Sequence, residues 1–295
     1  QGFAQMSRPD GQMDPIYDKS EKNSENFNWM ARLMGGIWAH ELNDNARKTF
    51  STSYVDNWVR ALFNTQRVEW NSSVYWGYCW NPCLVLYEYA PTEKMKRQAR
   101  AALDWQMIDL ALHYIDGVTT GADVRAKEGS YKTFAGSAWL WAYLYFGEKH
   151  PSYSTDMASA AMASQTQMCG FPPYSSYRPP QVALDIAHRR FATPVEIHGA
   201  KPFYQGDFDD YAHWKGDHAL SRRFDFETLY LEKNYTLSSV ATNYPAGVDC
   251  FWEQSVWKMA VKGSGNGAVQ IFGNAGGFVN SELSCGRSPY EQIGQ

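Results

Sequence analysis

Residues 93–117 read EKMKRQARAALDWQMIDLALHYIDG, and this stretch carries the clearest helical pattern in the chain. Thr92 precedes the stretch as a candidate N-cap, and Gly117, its last residue, follows the predicted helix end as a residue that commonly terminates a helix. Apolar residues recur along one helix face at Met95, Ala99, Ala102, Met107, Leu110 and Leu112. The pattern predicts a long amphipathic helix.

The helical pattern continues on both sides of this stretch. Candidate helices are predicted at about residues 25–42, 52–67, 74–90, 92–115, 133–147, 154–168 and 180–190. Short connections favour antiparallel hairpins, and because no fixed repeat is visible, the hairpins are predicted to close toward an (α/α) toroid. This toroid-like helical domain is placed at residues 25–225, after an extended polar arm at residues 1–24.

After residue 225 the pattern changes to that of β-strands. The stretches FDFETLYLEKNYTLSSVATNY and CFWEQSVWKMAVKG alternate in part, and GNGAVQIFGNAGGF adds strand and turn signals. Residues 226–295 are therefore predicted to form a small antiparallel β module. Because the predicted helical domain is much larger, the chain as a whole is predicted to be mainly α. About 70 residues are fewer than the roughly 100 of a two-sheet sandwich. We expect a partial sandwich whose open edge is covered by the helical domain or by another chain.

Composition narrows the classes of function. The net charge of −4 lacks the basic excess of nucleic-acid-binding proteins. No apolar run reaches the roughly 18 residues that a membrane helix needs. The chain begins QGFAQ without an initiator Met, so we expect a mature secreted, periplasmic or cell-surface protein whose export signal was removed. The aromatic content of 16% suits either sugar-stacking surfaces or a large helical core.

The five cysteines do not indicate a metal site. Cys79 and Cys83 are predicted to share a helix face, but no His or second Cys pair adjoins them, so buried thiols are the better interpretation. A disulfide between Cys250 and Cys285 is an open alternative in an exported protein. We predict neither a metal nor a cofactor.

Four stretches taken together resemble the bacterial heparinase-like proteins: SENFNWMARLMGG, EWNSSVYWGYCW, YEYAPTEKMKRQARAALDWQMIDLALHYIDGVTTG and ETLYLEKNYTLSSVATNYPAG. The resemblance covers about residues 24–260 and implies an (α/α) toroid followed by a β-sandwich, the layout of several polysaccharide lyases. The chain departs from the pattern at Phe27, where a His is expected, and its helical part is short for a six-hairpin toroid.

The stretch EWNSSVYWGYCW contains residue types that a lyase needs. Elimination from a uronic acid requires a partner for the substrate carboxylate and a carrier for the C5 proton. Asn71 is the candidate carboxylate partner and Tyr75 or Tyr78 the candidate proton carrier, while Trp76 and Tyr78 are candidate substrate-binding residues. The alternative is that the aromatic residues pack in the core. Asn71 and Asn234 also begin glycosylation sequons.

Further site candidates lie in loops and at helix ends. Arg125 and Tyr131 fall in the loop after the long helix and are candidates for carboxylate binding and proton transfer, with plain solvent exposure as the alternative. His198, predicted to lie in a loop, is the preferred catalytic histidine. His113 is interpreted as a partner of the helix dipole. A basic, His-rich region adds two candidate substrate-binding residues, His188 and Arg189.

Three functions fit these observations. The first is an exported carbohydrate-active protein that binds or cleaves an acidic polysaccharide by β-elimination. The second is a non-catalytic extracellular assembly protein on the same scaffold, which associates with itself or a partner chain through the β module and the N-terminal arm. The third is a toroid glycoside hydrolase with two carboxylates drawn from Glu69, Asp104, Asp109 and Asp123.

Overall fold

The structure is a computed structural model that describes residues 25–65, 70–72, 75–123, 137–147, 172–202, 224–242, 257–263 and 268–273. Several predictions from the sequence lie outside these residues. They concern the N-terminal arm, the candidate helix at residues 154–168, the side chains of Arg125 and Tyr131, and the pairing of Cys250 with Cys285.

The described part of the chain contains six α-helices: α1 Glu25–Glu41, α2 Asn45–Thr65, α3 Tyr75–Tyr89, α4 Glu93–Leu112, α5 Ser137–Phe146 and α6 Gln181–Ala187. Helices that follow each other in the chain pack together, α1 on α2 and α3 on α4, and α3 also packs on α1. The predicted hairpin packing is therefore confirmed. Closure into a toroid stays a prediction.

Helix α4 follows the sequence pattern closely. Thr92 is its N-cap, and the Thr92 hydroxyl oxygen accepts a hydrogen bond from the Met95 backbone N–H at 3.2 Å. The predicted stripe from Met95 to Leu110 is buried, which confirms the amphipathic interpretation, and only Leu112 at its end is half-buried. Burial of this stripe is what holds α4 in the helical core.

Gly117 has a different role from the predicted one. A small hairpin, β1 Tyr114–Ile115 and β2 Val118–Thr119, directly follows α4. Asp116 and Gly117 form its two-residue turn with φ values of 46° and 82°. Two consecutive positive φ values define the type I′ turn, which the dipeptide Asp-Gly favours. Gly117 therefore closes a hairpin and does not terminate the helix.

Aromatic side chains fill much of the helical core. Trp29 meets Trp58 edge to face with ring centroids 5.1 Å apart, and Trp80 lies 4.7 Å from Trp141. All four indoles are buried. The aromatic surplus is accounted for here by core packing, since each such ring removes a large apolar area from water.

A five-stranded antiparallel sheet follows the helices. Its strands are adjacent in chain order: β3 Val195–Pro202, β4 Phe224–Leu231, β5 Tyr235–Thr242, β6 Trp257–Val261 and β7 Val269–Gly273. The prediction of an antiparallel β region is confirmed. The first strand lies before the predicted boundary at residue 226, because Gly199 and Pro202 weaken the strand signal of the alternating residues before them.

The carboxylate of Glu88 ties the end of α3 to the segment before α6. It accepts hydrogen bonds from the Ser175 hydroxyl and the Ser176 backbone N–H, both at 2.6 Å. Partial burial alone would raise the pKa of Glu88, but the hydrogen bonds from Ser175 and Ser176 outweigh it and hold that pKa below its ordinary value of 4.5. The ionised form is therefore the one that the fold stabilises.

We expect Glu88→Gln to lower the free energy of unfolding by about 1–2 kcal/mol at pH 7, because an amide oxygen accepts these bonds less strongly than a carboxylate. The contribution of a lowered pKa is present above the unfolded value and is lost as the pH falls through the folded value. Urea unfolding at pH 7 and pH 3 measures the difference in the free energy of unfolding between the wild type and Glu88→Gln. This difference should be smaller at pH 3 than at pH 7. Glu41→Gln, at an exposed position, should change the free energy of unfolding little at either pH.

Candidate functional site

Four polar side chains meet where the sheet packs on the helical region: Asn71, His113, Glu227 and Ser238. We call them the junction cluster. They come from the turn before α3, the end of α4, and strands β4 and β5. None is more than 6% exposed. Polar groups at such depth are stable only when they hydrogen-bond one another, so their contacts define what the cluster can do.

The turn before α3 directs Asn71 toward the sheet. Asn71 has a φ of 54°, a left-handed conformation that Asn tolerates better than most residues. Its side-chain amide donates to the Ala122 carbonyl at 2.6 Å and lies 3.4 Å from Oε1 of Glu227. Next to it, the Ser72 hydroxyl accepts from the Tyr75 backbone N–H at 3.3 Å, at the start of α3.

His113 is the C-cap of α4, and both of its ring nitrogens are engaged. Nδ1 lies 2.7 Å from the Asp109 carbonyl oxygen and Nε2 lies 2.9 Å from Oε1 of Glu227. A carbonyl oxygen only accepts, so Nδ1 carries a proton. The contact between His113 and Glu227 then holds one further proton, either on the imidazole or on the carboxyl group.

The other donors around Glu227 favour an ionised carboxylate. The Ser238 hydroxyl accepts from the Ala122 backbone N–H at 2.9 Å and lies 2.7 Å from Oε1 of Glu227, so its own proton points to that oxygen. The Asn71 amide approaches the same oxygen. Several donors on one oxygen stabilise the charged form. We therefore assign His113 as an imidazolium that faces the carboxylate of Glu227.

Gly121 allows the chain to pass close to the junction cluster. Its φ is +100°, and a Cβ there would lie 2.4 Å from Cδ2 of His113 and 3.2 Å from Nδ2 of Asn71. Any side chain would displace the imidazole. The absence of a side chain at this position is therefore what lets Ala122 reach both Asn71 and Ser238.

Two further polar contacts join the sheet to the helical region. The Lys258 ammonium on β6 donates to the Asp123 carboxylate, and both side chains are buried. Nη2 of Arg189 donates to the Tyr114 carbonyl and to the Thr236 hydroxyl, each at 2.8 Å. The interface is thus built from charged and polar groups as well as apolar ones.

The predicted residues of EWNSSVYWGYCW lie in three different settings. Asn71 belongs to the junction cluster, and burial of its bonded amide leaves no place for a glycan. Tyr75 and Tyr78 are half-buried on one face of α3, with ring centroids 6.0 Å apart, as their spacing predicts. Trp76 is 2% exposed and stacks on Trp80 in the core, a position that does not fit the predicted contact with substrate.

The predicted basic residues do not join the junction cluster. His198 lies in β3 and not in a loop, because residues 195–202 pair along their whole length with β4. It is opposite Thr228, and since successive strand residues face opposite sides, its side chain lies on the other face of the sheet from Glu227. The guanidinium of Arg189 donates to main-chain carbonyls and Thr236, which favours an architectural role over the predicted substrate binding. His188 is the half-buried C-cap of α6.

Cys79 and Cys83 are buried thiols, as predicted, and Sγ of Cys83 lies 3.1 Å from the Cys79 carbonyl oxygen. Within the described ranges, no group of three or more His, Cys, Asp or Glu side chains is arranged to hold a metal ion. Nor does any helix of those ranges have the length and apolar character that a bilayer span demands.

Sequence reasoning missed His113 and Glu227 as partners. A signal for each was present. His113 lies three residues after Leu110, so it continues the buried face of α4 with a polar side chain. Glu227 alternates with Leu229 and Leu231, which places a carboxylate on the apolar face of a strand. A polar residue in phase with a buried apolar pattern indicates a partner elsewhere in the fold.

The described chain is a region of helical hairpins followed by an open, five-stranded antiparallel sheet. No protein-family model, curated protein or solved structure matches it.

Proposed function

We propose that the chain is an exported carbohydrate-active protein of the polysaccharide-lyase type, which binds or cleaves an acidic polysaccharide by β-elimination. The observation that carries the proposal is the convergence of Asn71, His113 and Glu227 at the junction, with Asn71 in the turn immediately before the helix that begins with Tyr75. An amide donor, an imidazolium and a phenol are the groups that this reaction uses. The resemblance to heparinase-like proteins supports the same assignment.

The chemistry divides between charge neutralisation and proton transfer. As the C5 proton of a uronate leaves, negative charge grows on its carboxylate, and a hydrogen-bond donor or a nearby cation lowers the energy of that state. Asn71 is buried, with one strong contact at 2.6 Å and one long contact at 3.4 Å, so a substrate carboxylate recruits its amide only when the turn at residue 71 opens and the longer contact breaks.

Tyrosine is the proposed proton carrier. A tyrosine phenolate takes the C5 proton, the C5–H electrons form the C4–C5 double bond, and the C4–O bond breaks with its electrons on the leaving oxygen. The same tyrosine then returns its proton to that oxygen. Tyr75 and Tyr78 share one face of α3 with ring centroids 6.0 Å apart, so both are candidates for this role.

The test is incubation of the full chain with a broad panel of uronate-containing polysaccharides while the ultraviolet absorbance of an unsaturated product is followed. We expect product from at least one polymer. Asn71→Ala and replacement of the proton-carrying tyrosine by Phe should each lower kcat by about 10²–10³-fold. Comparison of Tyr75→Phe with Tyr78→Phe identifies that tyrosine, and Tyr89→Phe at the exposed end of α3 is the matched control. A complete absence of product from the panel rejects the proposal.

The assembly alternative also has an observation in its favour. Both ring nitrogens of His113 are occupied, which suits a structural bond between helix and sheet as well as a catalytic role. A chain that produces no unsaturated product yet forms regular oligomers or filaments supports this alternative.

The hydrolase alternative has less support. Asp104 accepts from Nε of Arg100 and the Tyr177 hydroxyl, both at 3.0 Å. Asp123 pairs with the buried Lys258. Carboxylates held in such pairs are not placed to protonate a glycosidic oxygen, and Glu69 lies outside the described residues.

A further inference from the structure

The two faces of the five-stranded sheet both carry apolar side chains. The face toward the helical region is mixed, because it buries the polar side chains of Glu227, Thr236, Ser238 and Lys258 beside the apolar ones of Leu229, Leu231, Val240 and Ala260. The outer face exposes large apolar side chains: Phe226, Leu237, Trp257, Val269 and Ile271. An open antiparallel sheet usually exposes a polar face to water. Here the exposed face is instead rich in large apolar side chains.

The apolar side chains form one continuous patch. In the register of the sheet, Tyr230 is opposite Leu237, Leu237 is opposite Met259, and Met259 is opposite Ile271. Residues directly opposite each other in antiparallel strands have their side chains on the same face and in contact range. A row of apolar side chains therefore crosses four strands without a break, from β4 to β7. We call the surface centred on this row the outer patch.

The outer patch is comparable in size with the apolar patches that mark interaction sites. Its four strands, about 4.8 Å apart and each at least five residues long at about 3.3 Å per residue, cover a footprint on the order of 300 Å². Protruding side chains make the accessible area larger than this footprint. The patch thus falls in the range of roughly 300–600 Å² found for the largest apolar patches of monomers, which are often functional, and is smaller than the roughly 600–1,000 Å² that each partner contributes to a standard interface.

The charge pattern identifies the kind of partner. On the described outer positions of β5, β6 and β7 there is no Asp, Glu, Lys or Arg. The ionisable pair on this face is Glu196 and His198 on β3, whose side chains contact each other at 2.8 Å. An acidic polysaccharide or another charged ligand finds no counter-charge in the patch. A second apolar sheet face, by contrast, buries no unpaired charge there.

We infer that the outer patch is the docking surface for a second copy of this chain, which packs sheet on sheet. Two identical faces related by a two-fold axis are complementary by construction, because each presents the same apolar row to the other. Sheets that pack in this way lie about 10 Å apart with strands at about −30°. The resulting dimer completes a two-layered β structure from two chains and leaves both junction clusters where they are.

Sedimentation of the full chain over a range of concentrations tests this inference. We expect a monomer–dimer equilibrium with Kd on the order of 10 µM or tighter. Ile271→Lys and Leu237→Lys should each weaken dimerisation at least tenfold, because a lysine in the patch is buried against apolar side chains. Leu42→Lys, at an exposed apolar position away from the sheet, is the matched control and should leave the dimer unchanged.

Two results of the sedimentation experiment would contradict the proposed dimer. A wild-type chain that stays monomeric at about 100 µM overturns it, and so does a dimer that persists undiminished in both lysine variants. If a lysine variant does not fold, Ile271→Thr is the milder substitution, and it should still weaken the dimer. Lyase activity is measured separately on the same variants, since dimerisation does not depend on the chemistry of the junction.

Discussion

Replacement of Lys258 by methionine is expected to lower the free energy of unfolding by about 3–5 kcal/mol. The ammonium group of Lys258 and the carboxylate of Asp123 pair at side-chain exposures of 4% and 1%. Methionine matches the length of the lysine stem but carries no charge, so the carboxylate of Asp123 remains buried without its lysine partner. Removal of one member of a buried pair costs far more than the pair itself contributes.

Equilibrium urea unfolding, followed by circular dichroism and tryptophan fluorescence, measures the effect. Lys262→Met is the matched control, because Lys262 lies 3.6 Å from Asp116 with 51% of its side chain exposed. We expect that control to change the free energy of unfolding by no more than about 0.5 kcal/mol. The double variant Lys258→Met with Asp123→Leu should lose less stability than Lys258→Met alone. Equal losses in the two lysine variants would contradict the argument.

Local pattern was sufficient to predict that these helices exist, although α2 begins at Asn45 and not near the predicted residue 52. The stripe of α4, its cap at Thr92 and the helical character of residues 75–89 are all set by neighbours within a few turns of chain. Pro82 lies inside α3 without ending it, and its ring is buried among apolar neighbours. Tertiary packing there outweighs the lost backbone hydrogen bond, which is a balance that a local pattern does not contain.

The candidate site was predictable only in part. Asn71 stood out because of its residue type, but its partner Glu227 is 156 residues away in the chain and His113 bonds that same carboxylate across 114 residues. A single sequence carries no direct signal for contacts at such separations. His198 was predicted in the wrong setting for a related reason. Residues 195–202 form a strand through their pairing with β4, and only the register of that pairing shows on which face of the sheet the side chain of His198 lies.

Replacement of Glu227 by alanine is expected to have a similarly large effect, with a loss of about 3–5 kcal/mol in the free energy of unfolding. Oε1 of Glu227 accepts hydrogen bonds from Nε2 of His113 at 2.9 Å and from the Ser238 hydroxyl at 2.7 Å. Alanine leaves both donors buried without this acceptor, and it removes the carboxylate nearest to the charge of His113, since the Asp109 carboxylate lies farther away, at 3.5 Å from Nδ1. Urea unfolding at pH 7 measures the loss.

The exposed pair of Glu196 and His198 provides a matched control for Glu227. It has the same residue types at 2.8 Å, but its side chains are 53% and 69% exposed, so Glu196→Ala should cost less than about 1 kcal/mol. Glu227→Gln keeps the shape and one acceptor but removes the charge, and its loss should lie between those of the two alanine variants. In a double-mutant cycle with His113→Gln, we expect a coupling energy of about 2–3 kcal/mol for the buried pair. A coupling near zero would mean that the imidazole and the carboxylate do not act as a unit, and the assignment of His113 as an imidazolium would then fail.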